Sequence, residues 1–76
     1  RTTIRAAMKE AGQYTLTIFN ITGEVIRSFS GYHDAGMIEL EWNGVDDNGN
    51  LVASGLYFYR FEAGTFSDTR KMMLLK

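Results

Sequence analysis

Trp42-Asn43-Gly44-Val45-Asp46-Asp47-Asn48-Gly49-Asn50, continued by Leu51-Val52-Ala53-Ser54-Gly55 and the aromatic run Leu56-Tyr57-Phe58-Tyr59-Arg60-Phe61, decides how this chain is read. Ahead of it, Ile38, Leu40 and Trp42 alternate with Glu39 and Glu41, the period-two pattern of a strand with one apolar face. After it, Tyr57, Tyr59 and Phe61 alternate with Leu56, Phe58, Arg60 and Glu62. Phe58 between two tyrosines implies burial on both faces, as in a central strand. Between the strands lies a loop rich in Gly, Asp and Asn, where a two-residue turn would connect neighbouring strands more simply. Such a loop is either a folding device or a binding site.

Working outward, the same period covers most of the chain. Thr3 to Met8 sets Ile4, Ala6 and Met8 on one face, and Glu10-Ala11-Gly12 breaks the run. Tyr14 to Asn20 alternates Tyr14, Leu16 and Ile18 with Thr15, Thr17 and Phe19. Asn20-Ile21-Thr22-Gly23 reads as a turn with a bulge near Gly23, and Glu24 to Ser30 completes a hairpin through Val25, Ile26 and Phe29. Gly31 to Gly36 reads as a polar connection before the strand Met37 to Trp42. Gly55 to Ala63 follows the loop, and Gly64-Thr65 turns the chain into a last strand, Phe66 to Lys76. Six or seven short strands without a helix pattern predict an all-β fold, an antiparallel immunoglobulin-like β-sandwich, with a small barrel as the alternative.

The 76 residues allow one domain with a thin core, since a chain of this size removes only roughly 60 % of its unfolded surface from water. With 45 % hydrophobic and 13 % aromatic residues, the composition is that of a folded protein. A formal net charge of -1 supplies no positive field to gather nucleic acid or anionic lipid. No apolar run approaches the roughly 20 residues of a membrane helix, so no membrane insertion is expected. Absence of cysteine rules out a disulfide framework, a Cys-type zinc site and a thiol nucleophile. The start at Arg1, without an initiator methionine, suggests a domain of a longer polypeptide, 1-76 forming one β-sandwich at its C-terminal end.

Candidate chemistry is sparse. His33 lies beside Asp34 with Ser30 nearby, yet nothing in the spacing holds a nucleophile within hydrogen-bond reach of the imidazole. Glu39 and Glu41 share a strand face about 7 Å apart, a spacing common to every strand with a solvated polar face. The loop offers Asn43, Asp46, Asp47, Asn48 and Asn50 as oxygen donors for calcium, which takes about six to eight. Adjacent Asp46 and Asp47, the interrupting Gly49 and the lack of a closing Glu fit no EF-hand, while Asp and Asn suit Asx-turns and Gly44 and Gly49 suit positive φ. Metal binding is therefore not expected, with Asp46, Asp47, Asn48 and Asn50 as its only candidates. Exposed Tyr32 or Tyr57 would be the stacking platform of a sugar-binding surface, whereas Trp42 belongs to the core by its phase. Met72, Met73, Leu74 and Leu75 make the last strand apolar on both faces, so it is either central in a sheet or a patch that meets a partner. No enzyme and no cofactor is expected.

Taken together, Tyr14 to Arg27 (Tyr-Thr-Leu-Thr-Ile-Phe-Asn-Ile-Thr-Gly-Glu-Val-Ile-Arg), Gly36, Trp42 to Asn50, Val52, Ser54 to Phe61 and Lys71 to Lys76 resemble the C-terminal sorting domain of type IX (Por) secretion-system cargo. The immunoglobulin-like domain of the flagellar hook-capping protein is similar over the same W-x-G-x-D-x-x-G and S-G-x-Y pattern. Each motif is weak alone; order and spacing over Thr3 to Lys76 make the resemblance specific. Ala53, where the family often has proline, and the missing Asn-Pro entry before the first strand depart from it. The resemblance implies a non-catalytic sorting signal that directs a fused upstream cargo, by way of the periplasm, to the cell surface or the medium. It implies that the outer-membrane secretion machinery reads Lys71, Met72, Met73, Leu74, Leu75 and Lys76. The alternative it carries is an immunoglobulin-like structural or assembly module, a spacer beside an enzyme or a hook-cap-like domain.

Overall fold

A computed structural model describes residues 2–75. Six strands follow in order: β1 (Thr2–Met8), β2 (Gly12–Phe19), β3 (Val25–His33), β4 (Gly36–Trp42), β5 (Gly55–Ala63) and β6 (Phe66–Leu74). No helix occurs among the described residues. A four-stranded sheet has the order β3-β2-β5-β6, and β1 pairs with β4 in a second sheet; every pairing is antiparallel. Two open sheets facing each other give the sandwich; the barrel alternative falls because neither sheet closes on itself.

The alternation explains the layers. Ile4 and Met8 of β1 and Ile38 and Trp42 of β4 point inward from the small sheet, and Leu16, Ile18, Tyr57, Phe61 and Leu74 point inward from the large one. All nine are buried and form a single cluster, because each sheet has one apolar face and a two-stranded sheet is stable only when that face is covered. Thr17 on the opposite face is also nearly inaccessible, since it stands between β3 and β5.

The turns follow side-chain chemistry. Gly64 has φ 60, and among the described residues only glycines have positive φ, so Ala63-Gly64-Thr65-Phe66 is a type II′ hairpin with glycine at its first central position. In the β2–β3 hairpin, Asn20 Oδ1 accepts from the Thr22 and Glu24 amides, and the Gly23 amide donates to the Asn20 carbonyl at 3.0 Å. Gly23 takes φ 88, but the bulge expected there lies further on: the register moves from Ile18↔Arg27 to Phe19↔Val25, so Ile26 is the extra residue. β3 also runs on to His33, opposite Gly12, where the sequence suggests a polar connection from Gly31. Pairing with β2 and the packing of Tyr14 against Gly31 override the local composition; a Cβ on Gly31 would stand 3.3 Å from the Tyr14 hydroxyl oxygen.

Candidate functional site

The loop between β4 and β5 carries the chain from the small sheet to the large one, and its polar groups are spent on that passage. Trp42, fully buried at the end of β4, donates its indole N–H to the Val45 carbonyl at 2.9 Å and meets the Tyr57 ring edge-to-face at 5.1 Å. Tyr57 returns its hydroxyl to the Ala53 carbonyl at 2.6 Å, a tether four residues upstream like the tyrosine corner of other sandwiches. Tyr57 is therefore a core side chain and offers no sugar platform; Tyr32, the other candidate platform, is 64 % exposed.

Asp46 closes the loop. One carboxylate oxygen, Oδ1, accepts from the amides of Asn48 and Asn50, both at 2.9 Å, while Val45 and Leu51 form an isolated bridge. Gly44 and Gly49, with φ 77 and 84, supply the left-handed conformations the closure needs. Asp47 points the other way: its amide donates to the Ile26 carbonyl at 3.0 Å, its Oδ1 accepts from the Ser28 amide at 3.1 Å, and Arg27 lies 3.8 Å from the same oxygen. The loop thereby docks onto the outer edge of β3 at the bulge. Asp46 and Asp47 thus bond different parts of the backbone, and no group of three acidic, His or Cys side chains capable of holding a metal occurs among the described residues.

The other candidates are not brought together. Ser30 and His33 stand three residues apart on β3 and so project from opposite faces; the His33 Nδ1 lies 2.7 Å from the Asp34 carbonyl oxygen. Glu39 receives the Nε–H of Arg5 from the neighbouring strand at 2.5 Å, an exposed cross-strand ion pair.

The C-terminal segment divides by face. β6 is an edge strand, paired with β5 alone, so the central placement allowed by its sequence falls. Leu74 is buried in the core and Met72 packs against it, while Lys71, Met73 and Leu75 are exposed, Met73 by 56 % and Leu75 by 71 %. Lys76 lies outside the described residues. Asp68 and Arg70, on the core-facing side of β6 but near its margin, pair at 2.8 Å, which raises the Arg70 pKa. Sequence reasoning missed this pair, although an Asp and an Arg two residues apart in a strand share a face.

Structural similarity is found to FlgD from P. aeruginosa, with a TM-score of 0.74 over 95 % of the chain and 20 % sequence identity. The chain spans 58 % of that FlgD chain, and at this identity the likeness is one of fold. No curated protein matches the sequence. The FlgD Ig-like domain family matches residues 1–67, which include β1 to β5, the β4–β5 loop and the start of β6. The chain belongs to the FlgD Ig-like domain family.

Proposed function

We propose that this chain is a non-catalytic immunoglobulin-like assembly module, one that gives a longer polypeptide a rigid sandwich and presents sheet edges and loops to protein partners. The family match over residues 1–67 carries this reading. The side chains with catalytic potential support it, because they are scattered over opposite faces or paired with neighbouring strands.

A finer reading is favoured by one observation: β6 has an open edge, and Lys71 and Met73 on it and Leu75 just past its end are exposed. An edge of this kind can be read by strand addition, backbone bonds supplying affinity and alternate side chains supplying choice. On this reading the segment is a sorting signal recognised by the outer-membrane type IX machinery, with a fused cargo upstream and a destination at the cell surface or in the medium. Deleting Lys71 to Lys76 would be a poor test, because the deletion also removes the buried Leu74. The cleaner variant is Lys71→Ser/Met73→Ser/Leu75→Ser, fused behind a reporter in a type IX-competent host. The sorting reading expects the wild-type fusion at the surface and the folded triple variant retained in the periplasm. A wild-type fusion that stays periplasmic, or a triple variant delivered normally, removes the sorting reading and leaves the assembly module.

A further inference from the structure

We infer that the open edge of β6 is a homodimer seam, pairing antiparallel with β6 of a second copy about a two-fold axis at Thr69. The inference rests on the edge itself: it stands beside the assembly reading, and under the sorting reading the second copy and the secretion machinery compete for the same edge. Three of its properties carry the argument.

The first is that this edge is guarded only by the charges of Asp68, Arg70 and Lys71. Natural sheets blunt their edges with prolines, bulges, covering loops or charged side chains. On the opposite side of the same sheet, β3 has both a bulge at Ile26 and the Asp47 loop docked against it. β6 has neither: its pairing with β5 runs without a register shift from Phe66 to Leu74, and the chain contains no proline.

The second is the phase of its backbone. Ala63 and Phe66 flank the two-residue turn and so form a hydrogen-bonded pair, as do the alternate pairs Phe61↔Asp68, Tyr59↔Arg70 and Tyr57↔Met72. The intervening residues Ser67, Thr69, Lys71 and Met73 direct their N–H and C=O groups outward. A two-fold at Thr69 matches these outward groups with one another: Thr69 with Thr69, and Ser67 with Lys71, of the second copy.

The third is the side-chain code. In this register Asp68 stands opposite Arg70 of the second copy, Phe66 opposite Met72, and Thr69 opposite itself. Opposite charges, an aromatic against an apolar chain and a threonine pair are each favourable neighbours across antiparallel strands. Asp68 and Arg70 have side chains 40 % and 67 % exposed, so they are free to bond across the seam as well as to each other. Axes at Asp68, Arg70 or Lys71 are self-repelling, because each places that residue's charge against its own copy, and an axis at Ser67 sets Asp68 against Phe66 and forms no charge pair. The small sheet offers no equivalent, since β4 carries Glu39 and Glu41 and sets carboxylates together, while β1 has no opposite charge to fix a register.

The seam is small and polar, so a weak dimer is expected, with a dissociation constant on the order of 100 µM. Analytical ultracentrifugation over a concentration series reaching the millimolar range reads it, with far-UV circular dichroism to verify folding. Asp68→Lys and Arg70→Glu each place like charges across the seam and should weaken dimerisation about tenfold or more. An equimolar mixture of the two variants should associate more tightly than either alone, because the uniformly positive edge then meets the uniformly negative one. Thr69→Pro, which removes an outward N–H and leaves the β5 ladder intact, should give a monomer. A wild-type chain monomeric into the millimolar range overturns the inference. So does a mixture no tighter than its components, or a dimer indifferent to Asp68→Lys.

Discussion

Single side chains in this molecule act mainly on backbone that the strands leave unsatisfied. Asp46 is the clearest case: one carboxylate oxygen serves two loop amides, so Asp46→Ala leaves both without that acceptor and should cost about 1–2 kcal/mol. Asp46→Asn keeps a carbonyl oxygen in place and should recover part of that, both measured by urea unfolding. Calcium at millimolar concentration should leave the wild-type melting temperature unchanged, because the loop carboxylates are already engaged with backbone on different sides. A melting temperature that rises with calcium would return Asp46, Asp47, Asn48 and Asn50 to the status of ligands. Tyr57→Phe removes only the bond to the Ala53 carbonyl and should cost about 1 kcal/mol with the fold retained. The core role of Trp42 was legible from its phase with Ile38 and Leu40. The partners of its indole and of the Tyr57 hydroxyl were not, because they depend on how the loop folds back and no sequence period reports that.

Strands and turns differ in how plainly the sequence announces them. β5 appears with the bounds its alternation implies, and β4 begins one residue early at Gly36. The end of β3 was hidden, because Gly31, Tyr32 and His33 are held extended by pairing with Tyr14, Gln13 and Gly12, a contact between distant residues. The bulge was misplaced for a related reason: Ile26 is extruded where its carbonyl takes the Asp47 amide, a tertiary contact, while Gly23 serves the turn. That turn makes its own prediction. Asn20 Nδ2 and Thr22 Oγ1 bond the Glu24 carboxylate at 2.8 and 3.2 Å, and these bonds lower the Glu24 pKa below its ordinary value. A carboxyl depressed in the folded state stabilises the hairpin fully above its unfolded pKa and loses that effect as pH falls through the folded value. An NMR titration should show Glu24 titrating below the usual glutamate range, and Asn20→Ala should move it back upward. Asn20→Ala should also cost about 1–2 kcal/mol, since Asn20 Oδ1 holds two backbone amides.

At the scale of the whole molecule, the fold depends on a core so small that its last member matters. Nine buried side chains span both sheets, and a domain of this length has a net stability of roughly 4–11 kcal/mol. Leu74 closes that core from the edge strand, and Leu75 beside it is 71 % exposed. The sequence presents Met72 to Leu75 as a uniform apolar run; only the phase set by pairing with β5 separates the buried member from the exposed ones. Truncation therefore has a sharp threshold. Ending the chain after Leu74 should leave the urea midpoint within experimental error, because what is lost of the described residues is one solvent-facing side chain. Ending it after Met73 should cost about 2–5 kcal/mol, the range for removing a buried leucine side chain, and full-length Leu74→Ala should reproduce most of that loss. Met73→Ser should be nearly neutral by the same measurement, since its side chain faces solvent. Equal losses from both truncations, or a Met73→Ser as damaging as Leu74→Ala, would mean that the apolar face of β6 is the opposite one. The division of the segment into a structural residue and an exposed recognition edge would fall with it.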